Sequence, residues 1–244
     1  MGRSLKVWLA AIVVAGPVVG PVVGLAFAPA RADPLADANS AYGQGDYATV
    51  LKILRPLADQ GDANAQFRLG FMYDAGQGVP QDQAEAAKWY RKAGDQGVVR
   101  AQDRLGVMYL AGQGVPQNNA ESTAWFRKAA EQGDDNAQWQ LGDAYAEGRG
   151  VAQDMAAAAS WYRKAADQGN ALAQFRLGKL YEAGQVVPQD YVTAHMWYSL
   201  AASHSPPGPF RDDIAQKIDL VAQKMTPTQV TEAQKRAGDW KPNK

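Results

Sequence analysis

Apolar residues in the middle of this chain recur with a helical period. Ala65, Leu69, Met72 and Tyr73 fall at i, i+4, i+7 and i+8, which places them on one stripe of an α-helix, helix A. Gly76 ends that stripe, where a left-handed residue closes a helix without a Cβ clash. The link Gln77-Gly78-Val79-Pro80-Gln81 is short and rich in helix breakers, so it reads as a turn. A second stripe follows in Ala86, Trp89, Tyr90 and Ala93, helix B, and Gly97 stops it. Asp82 is placed to cap helix B, with Glu85 three residues on to complete a capping box.

The whole pattern then repeats every 36 residues. Ala65, Ala101, Ala137 and Ala173 open the units, and Leu69, Leu105, Leu141 and Leu177 follow, each beside a glycine (Gly70, Gly106, Gly142, Gly178). Tyr73, Tyr109, Tyr145 and Tyr181 form another column, and Trp89, Trp125, Trp161 and Trp197 a further one. Asn118 and Glu121 repeat the cap pair, whereas Asp154 and Asp190 keep the cap alone. A period of about 20–50 residues marks a solenoid, in which each unit buries its apolar face only against its neighbours. Glycine and alanine let the helices approach, and the tryptophan fills the space where three helices meet. The predicted fold class is all-α.

The string Ala-x-x-x-Leu-Gly-x-x-Tyr-x-x-Gly-x-Gly-Val-x-x-Asp, followed by Ala-x-x-Trp-Tyr-Arg-Lys-Ala-Ala-x-x-Gly, resembles the Sel1-like repeat, a relative of the tetratricopeptide repeat. The resemblance covers residues 61–205, as four units at 65–100, 101–136, 137–172 and 173–205. An N-terminal half unit or cap over 33–60 extends it: Gly45-Asp46-Tyr47 opens a helix, and Leu57-Ala58-Asp59-Gln60-Gly61 aligns with Ala93-Gly94-Asp95-Gln96-Gly97. The resemblance implies a right-handed α-α superhelix whose A helices line a concave face. It also implies a non-enzymatic adaptor that holds another protein or peptide.

The fourth unit departs from the pattern. Val186 stands where Gly78, Gly114 and Gly150 stand, which puts the geometry of that loop in question, and Ser199-Leu200 replaces the Arg-Lys pair. Terminal repeats are atypical because one side lacks a partner. Residues 206–244 read as capping helices: Ile214, Ile218 and Val221 make one stripe, and Thr226-Pro227-Thr228-Gln229 reads as an N-cap, Pro at N1 and a capping-box Gln.

Charge and composition narrow the function. The chain has 25 basic and 25 acidic residues, a balance that argues against nucleic acid as a partner. Without cysteine there are no disulfides, thiolate metal sites or cysteine nucleophile. Residues 1–32 read as an export leader: Arg3 and Lys6, an apolar run from Val7 to about Ala30, then Ala30-Arg31-Ala32 as a cleavage signal. Cleavage after Ala32 places the protein in the periplasm or outside the cell and leaves 22 basic against 25 acidic residues. An uncleaved leader would instead make a membrane anchor; its interior Gly-Pro pairs weigh against a permanent helix.

Variable columns mark where recognition can occur. On the side of helix A opposite Leu69 lie Phe67, Phe71 and Asp74; then Asp103, Val107 and Leu110; then Trp139 and Asp143; then Phe175, Lys179 and Glu182. Aromatic anchors with scattered charge suit a protein or peptide groove. The other reading is that the rings pack against the next helix A. Gln66, Gln102, Gln138 and Gln174 form a fixed column that either holds a peptide backbone or ties helix A to the solenoid itself. Arg91-Lys92, Arg127-Lys128 and Arg163-Lys164 form a ridge that either meets an anionic partner or is solvated, each Arg having an acid four residues on (Asp95, Glu131, Asp167). His195 and His204, nine residues apart, are poorly spaced for a metal, and no cofactor is expected. No Gly-x-Ser-x-Gly, His-Glu-x-x-His or Walker loop is present. The expected function is a scaffold in the bacterial envelope. Alternatives are a regulator that binds a membrane sensor, or a cell-wall-binding protein or hydrolase.

Overall fold

The computed structural model describes residues 33–242. The leader expected at residues 1–32, with the cleavage expected after Ala32, lies outside the described residues. From Pro34 onward the chain forms one compact unit. It is an α-solenoid, with twelve helices and no strand among the described residues. A hairpin of α1 (Pro34–Gly43) and α2 (Tyr47–Asp59) comes first. Four hairpins follow: α3 (Ala63–Ala75) with α4 (Gln83–Asp95), α5 (Val99–Ala111) with α6 (Asn119–Glu131), α7 (Asp135–Glu147) with α8 (Met155–Asp167), and α9 (Ala171–Ala183) with α10 (Tyr191–His204). The tail forms α11 (Pro209–Ala222) and α12 (Pro227–Asp239), both packed on α10. No helix among the described residues is long and apolar enough to cross a membrane.

Local chemistry sets the helix ends. The A helices close on Gly76, Gly112, Gly148 and Gly184, all left-handed with φ between 68 and 70°. Asp82, Asn118, Asp154 and Asp190 each accept backbone N–H bonds at the start of a B helix. The capping box expected at Asp82 is only half formed, because the Glu85 carboxylate turns to Lys88 at 2.8 Å. Asn118 likewise caps without a reciprocal bond from Glu121. At Thr226 and Gln229 both halves form. α1 has no counterpart column in the repeat and was not anticipated as a separate helix.

The core follows the large-against-small logic. Tyr90, Phe126, Tyr162 and Tyr198 lie flat on Gly70, Gly106, Gly142 and Gly178; a Cβ on these glycines would sit 2.8, 2.5, 2.6 and 2.6 Å from the ring above it. The next column inserts between hairpins: Trp89, Trp125 and Trp197 are buried and Trp161 half-buried.

Val186 keeps the loop geometry of its glycine counterparts. Its φ is 54°, against 72, 67 and 71° at Gly78, Gly114 and Gly150. A β-branched residue there is strained by roughly 1–2 kcal/mol. The side chain escapes a clash by standing 53% exposed. Val186→Gly is expected to relieve that strain, less the entropy cost of a glycine, and to raise Tm by about 2–4 °C in a thermal melt. An unchanged or lower Tm would show that the loop carries no strain.

Candidate functional site

Most of the polar residues that recur are used to join one repeat to the next. The glutamine column binds the solenoid and not a ligand. Nε2 of Gln66, Gln102, Gln138 and Gln174 donates to the carbonyls of Ala58, Gly94, Ala130 and Ala166 at 3.0, 2.9, 3.2 and 3.1 Å. The free Oε1 of the first three accepts from Gln96, Gln132 and Gln168, at 2.8, 2.7 and 2.9 Å. His204 holds the same place in the fourth repeat, 2.9 Å from Gln174 Oε1. Since Gln174 Nε2 is already donating, His204 Nδ1 carries the proton of this bond. His204 is therefore the last member of an amide column, and Trp240 covers it edge-on at 5.4 Å. His195 is buried beside Ser199, and burial lowers its pKa below the ordinary value.

The Arg-Lys ridge is solvent-exposed apart from the half-buried Arg127, and its side chains also make contacts along the solenoid. None of the expected i,i+4 pairs forms among the described residues; Asp95 instead meets Lys128 of the next repeat at 4.0 Å. Each arginine reaches forward to the tyrosine of the next A helix: Arg91 to Tyr109, Arg127 to Tyr145 at 3.0 Å and Arg163 to Tyr181 at 2.6 Å. Each lysine lies over its own repeat's indole: Lys92 on Trp89, Lys128 on Trp125 and Lys164 on Trp161, at 3.8, 3.7 and 3.9 Å. In the fourth repeat no A helix of a fifth repeat follows, so the pair is dispensable, and Leu200 there is buried.

Three other sets of contacts involve the candidate residues themselves. Asp74 accepts from Tyr90 at 3.4 Å and pairs with Arg104 of the next repeat at 3.1 Å. Asp143, buried, accepts from Tyr162 at 2.5 Å and pairs with Arg176 at 2.9 Å. Glu182 accepts from Tyr198 at 2.8 Å and faces Lys217 and Lys224 of α11 and the turn after it, at 3.7 and 3.5 Å. In each case a tyrosine, an acid and a cation from the following element form one cluster. Burial and the facing carboxylate raise the pKa of all three tyrosines, so they act as donors. The second repeat changes all three members of the first repeat's cluster together: Phe126, Leu110 and Gln140 stand in the places of Tyr90, Asp74 and Arg104.

The apolar candidates are half-buried. Phe67 and Phe71 pack at the edge of one core cluster and Val107 and Leu110 at another. Trp139 packs at the edge of a third, with its indole N–H buried and unpartnered. Phe175 is covered by Phe210 of α11 at 5.5 Å and by Tyr198 at 5.6 Å. Lys179 is exposed. The aromatics thus do both things considered from the sequence: they pack against neighbours and leave part of each ring open. Arg68, Arg104 and Arg176 were missed, although their shared column beside Leu69, Leu105 and Leu177 was visible.

At the N-terminal end, α1, α3 and α5 frame a cavity of about 540 Å³ lined in part by Phe67 and Phe71. Among the described residues, no group of three or more His, Asp or Glu is arranged to hold a metal.

Asp103 is an exception to these engaged carboxylates. Its pKa is raised to about 6, first by burial, then by Asp134 and Asp135 nearby, with Arg104 opposing. The folded state holds this proton more tightly than the unfolded chain. Its stabilising contribution is therefore complete below pH 3.8 and is lost as pH rises through about 6. Asp103→Asn is expected to melt about 2–4 °C above the parent at pH 7.5, with the gap closing near pH 4. A gap that does not change with pH would contradict this.

The Sel1 repeat pattern matches residues 63–98, 99–134, 135–170 and 171–206. Two of the similar solved structures illustrate the likeness. One is a Sel1 repeat protein from Oxalobacter formigenes, 30% identical with a TM-score of 0.65, over 84% of this chain and 96% of that one. The other is a protective antigen present in uropathogenic Escherichia coli strains, displaying an SLR fold; it is 31% identical with a TM-score of 0.67, over 85% of this chain. This chain spans 54% of the length of that structure. No curated protein sequence matches at a significant level.

Proposed function

Since the chain belongs to the Sel1 repeat family, whose members generally bind other proteins, we propose that it is an exported, non-enzymatic adaptor of the bacterial envelope. It holds a protein or peptide on the face lined by helices A. The observation that carries this reading is how the side chains divide. The fixed polar columns are consumed by contacts between repeats, whereas the variable positions Phe67, Phe71, Val107 and Leu110 stay half-buried along one helix face. A scaffold held this way orders its binding face before the partner arrives, so little conformational entropy is lost on binding. The leader at residues 1–32 supports export.

The test is chemical crosslinking in intact cells, with identification of whatever is captured and with N-terminal sequencing of the recovered protein. The reading expects a mature chain beginning at Asp33 in the envelope fraction and one reproducible protein partner. A full-length cytoplasmic chain would refute export, and the absence of any reproducible partner would refute the adaptor.

A further inference from the structure

We propose that the cavity at the N-terminal end of the A-helix face is an anchor subsite for an acidic peptide segment, taking a bulky apolar side chain against Phe67 and Phe71 and pairing the flanking carboxylates with Arg68 and Arg100. This rests on the adaptor reading and gives it a place and a ligand chemistry.

The floor of the cavity is apolar. Val50, Leu54 and Met72 are buried beneath it, and Phe67 and Phe71 form half-buried walls. Its volume of about 540 Å³ lies in the ~300–1,000 Å³ range of sites that enclose a ligand group. The charged residues lining it are Arg68 and Arg100, with no carboxylate among its lining. Arg100 is exposed and joins none of the ion pairs among the described residues. Arg68 donates to the Asn39 side chain, which uses one part of a guanidinium that has five N–H donors. Two cations over an apolar floor complement a segment that carries a large apolar side chain beside acids, and they repel a basic one.

Elsewhere on the face the acids Asp74, Asp143 and Glu182 are paired, and the exposed Lys179 lies over Phe175, a ring that Phe210 covers. Asp74 and Asp143 are paired with Arg104 and Arg176 of the following repeats. At the C-terminal end the tail covers part of the face: Phe210 packs on Phe175, and Lys217 and Lys224 neutralise Glu182. The N-terminal cavity is therefore where an apolar floor and uncommitted positive charge coincide.

The test uses three fluorescein-labelled octapeptides: a central Leu-Phe pair flanked by glutamates, the same pair flanked by lysines, and a glutamate-flanked Ser-Ser control. Anisotropy titrations with the mature chain are expected to show the first binding at least tenfold more tightly than the other two, and losing affinity in high salt. Arg100→Glu is expected to weaken the first probe at least tenfold, with an unchanged Tm because the side chain is exposed. Equal binding of the three probes, or binding of the first that is indifferent to Arg100→Glu, overturns the subsite. If that happens while crosslinking in cells still captures a reproducible partner, the anchor fails and the adaptor reading stands; if capture fails as well, both fall.

Discussion

Trp125→Ala is expected to destabilise the protein by roughly 3–5 kcal/mol, the usual cost of deleting a buried large aromatic side chain. Trp125 is 3% exposed, belongs to the core cluster between the first and second repeats, and carries Lys128 over its ring at 3.7 Å. The alanine would leave a cavity between hairpins that the backbone cannot readily close. It would also strand the Lys128 ammonium without its ring, a smaller loss of about 0.5–1 kcal/mol. Cavity formation therefore dominates. Trp125→Phe, which keeps most of the apolar volume, should cost well under half as much. Urea titrations of the three proteins measure this directly. A loss below about 1 kcal/mol for the alanine variant would mean that the indole column does not wedge the hairpins apart.

Gly150→Val is the second large effect, and Val186 makes it informative. The two positions are equivalent in the repeat, and both have left-handed backbone, with φ of 71 and 54°. Tolerance of valine at 186 shows that the backbone cost alone is bearable. At Gly150, however, a Cβ would lie 2.2 Å from the Asn119 carbonyl oxygen, backbone that has no flexible end to move aside. The expected loss is about 2–5 kcal/mol, combining left-handed strain with overpacking. Gly150→Ala should already incur most of it, since the clash is with the first side-chain carbon. If Gly150→Val melted with the parent protein, the loop would not be pressed against the preceding helix B.

The framework was legible because period and chemistry coincide. A tryptophan every 36 residues, with a glycine under each following ring, specifies hairpins that stack. The caps were legible for the same reason, but the reciprocal bonds from Glu85 and Glu121 do not form; at Glu85 a nearby Lys88 takes the carboxylate. What a single unit does not display is contact between units. The pairing of Asp74 with Arg104 and of Arg91 with Tyr109 depends on the rotation from one hairpin to the next, which spacing along the chain does not specify. His204 was legible in principle: it falls 36 residues after Gln168, in the column of Gln96 and Gln132. Its spacing from His195 says nothing of this role, whereas in its column it is a hydrogen-bond donor to Gln174. The candidate positions lie along helices A, but the repeat alone does not distinguish the two ends of that face. The direction in which α11 folds back, covering Phe175 and engaging Glu182, is a tertiary choice with no repeat to predict it.

The most direct test of the central claim places a photo-crosslinking amino acid, one position at a time, on the two sides of the solenoid. Lys179 represents the A-helix face and Lys88 the exposed side of a B helix. After irradiation of intact cells, the account predicts that Lys179 and Arg100 positions yield the same crosslinked partner and that Lys88 yields none. Capture from Lys88 with none from the A-helix positions would show that the partner sits on the opposite side, and the groove assignment would be wrong.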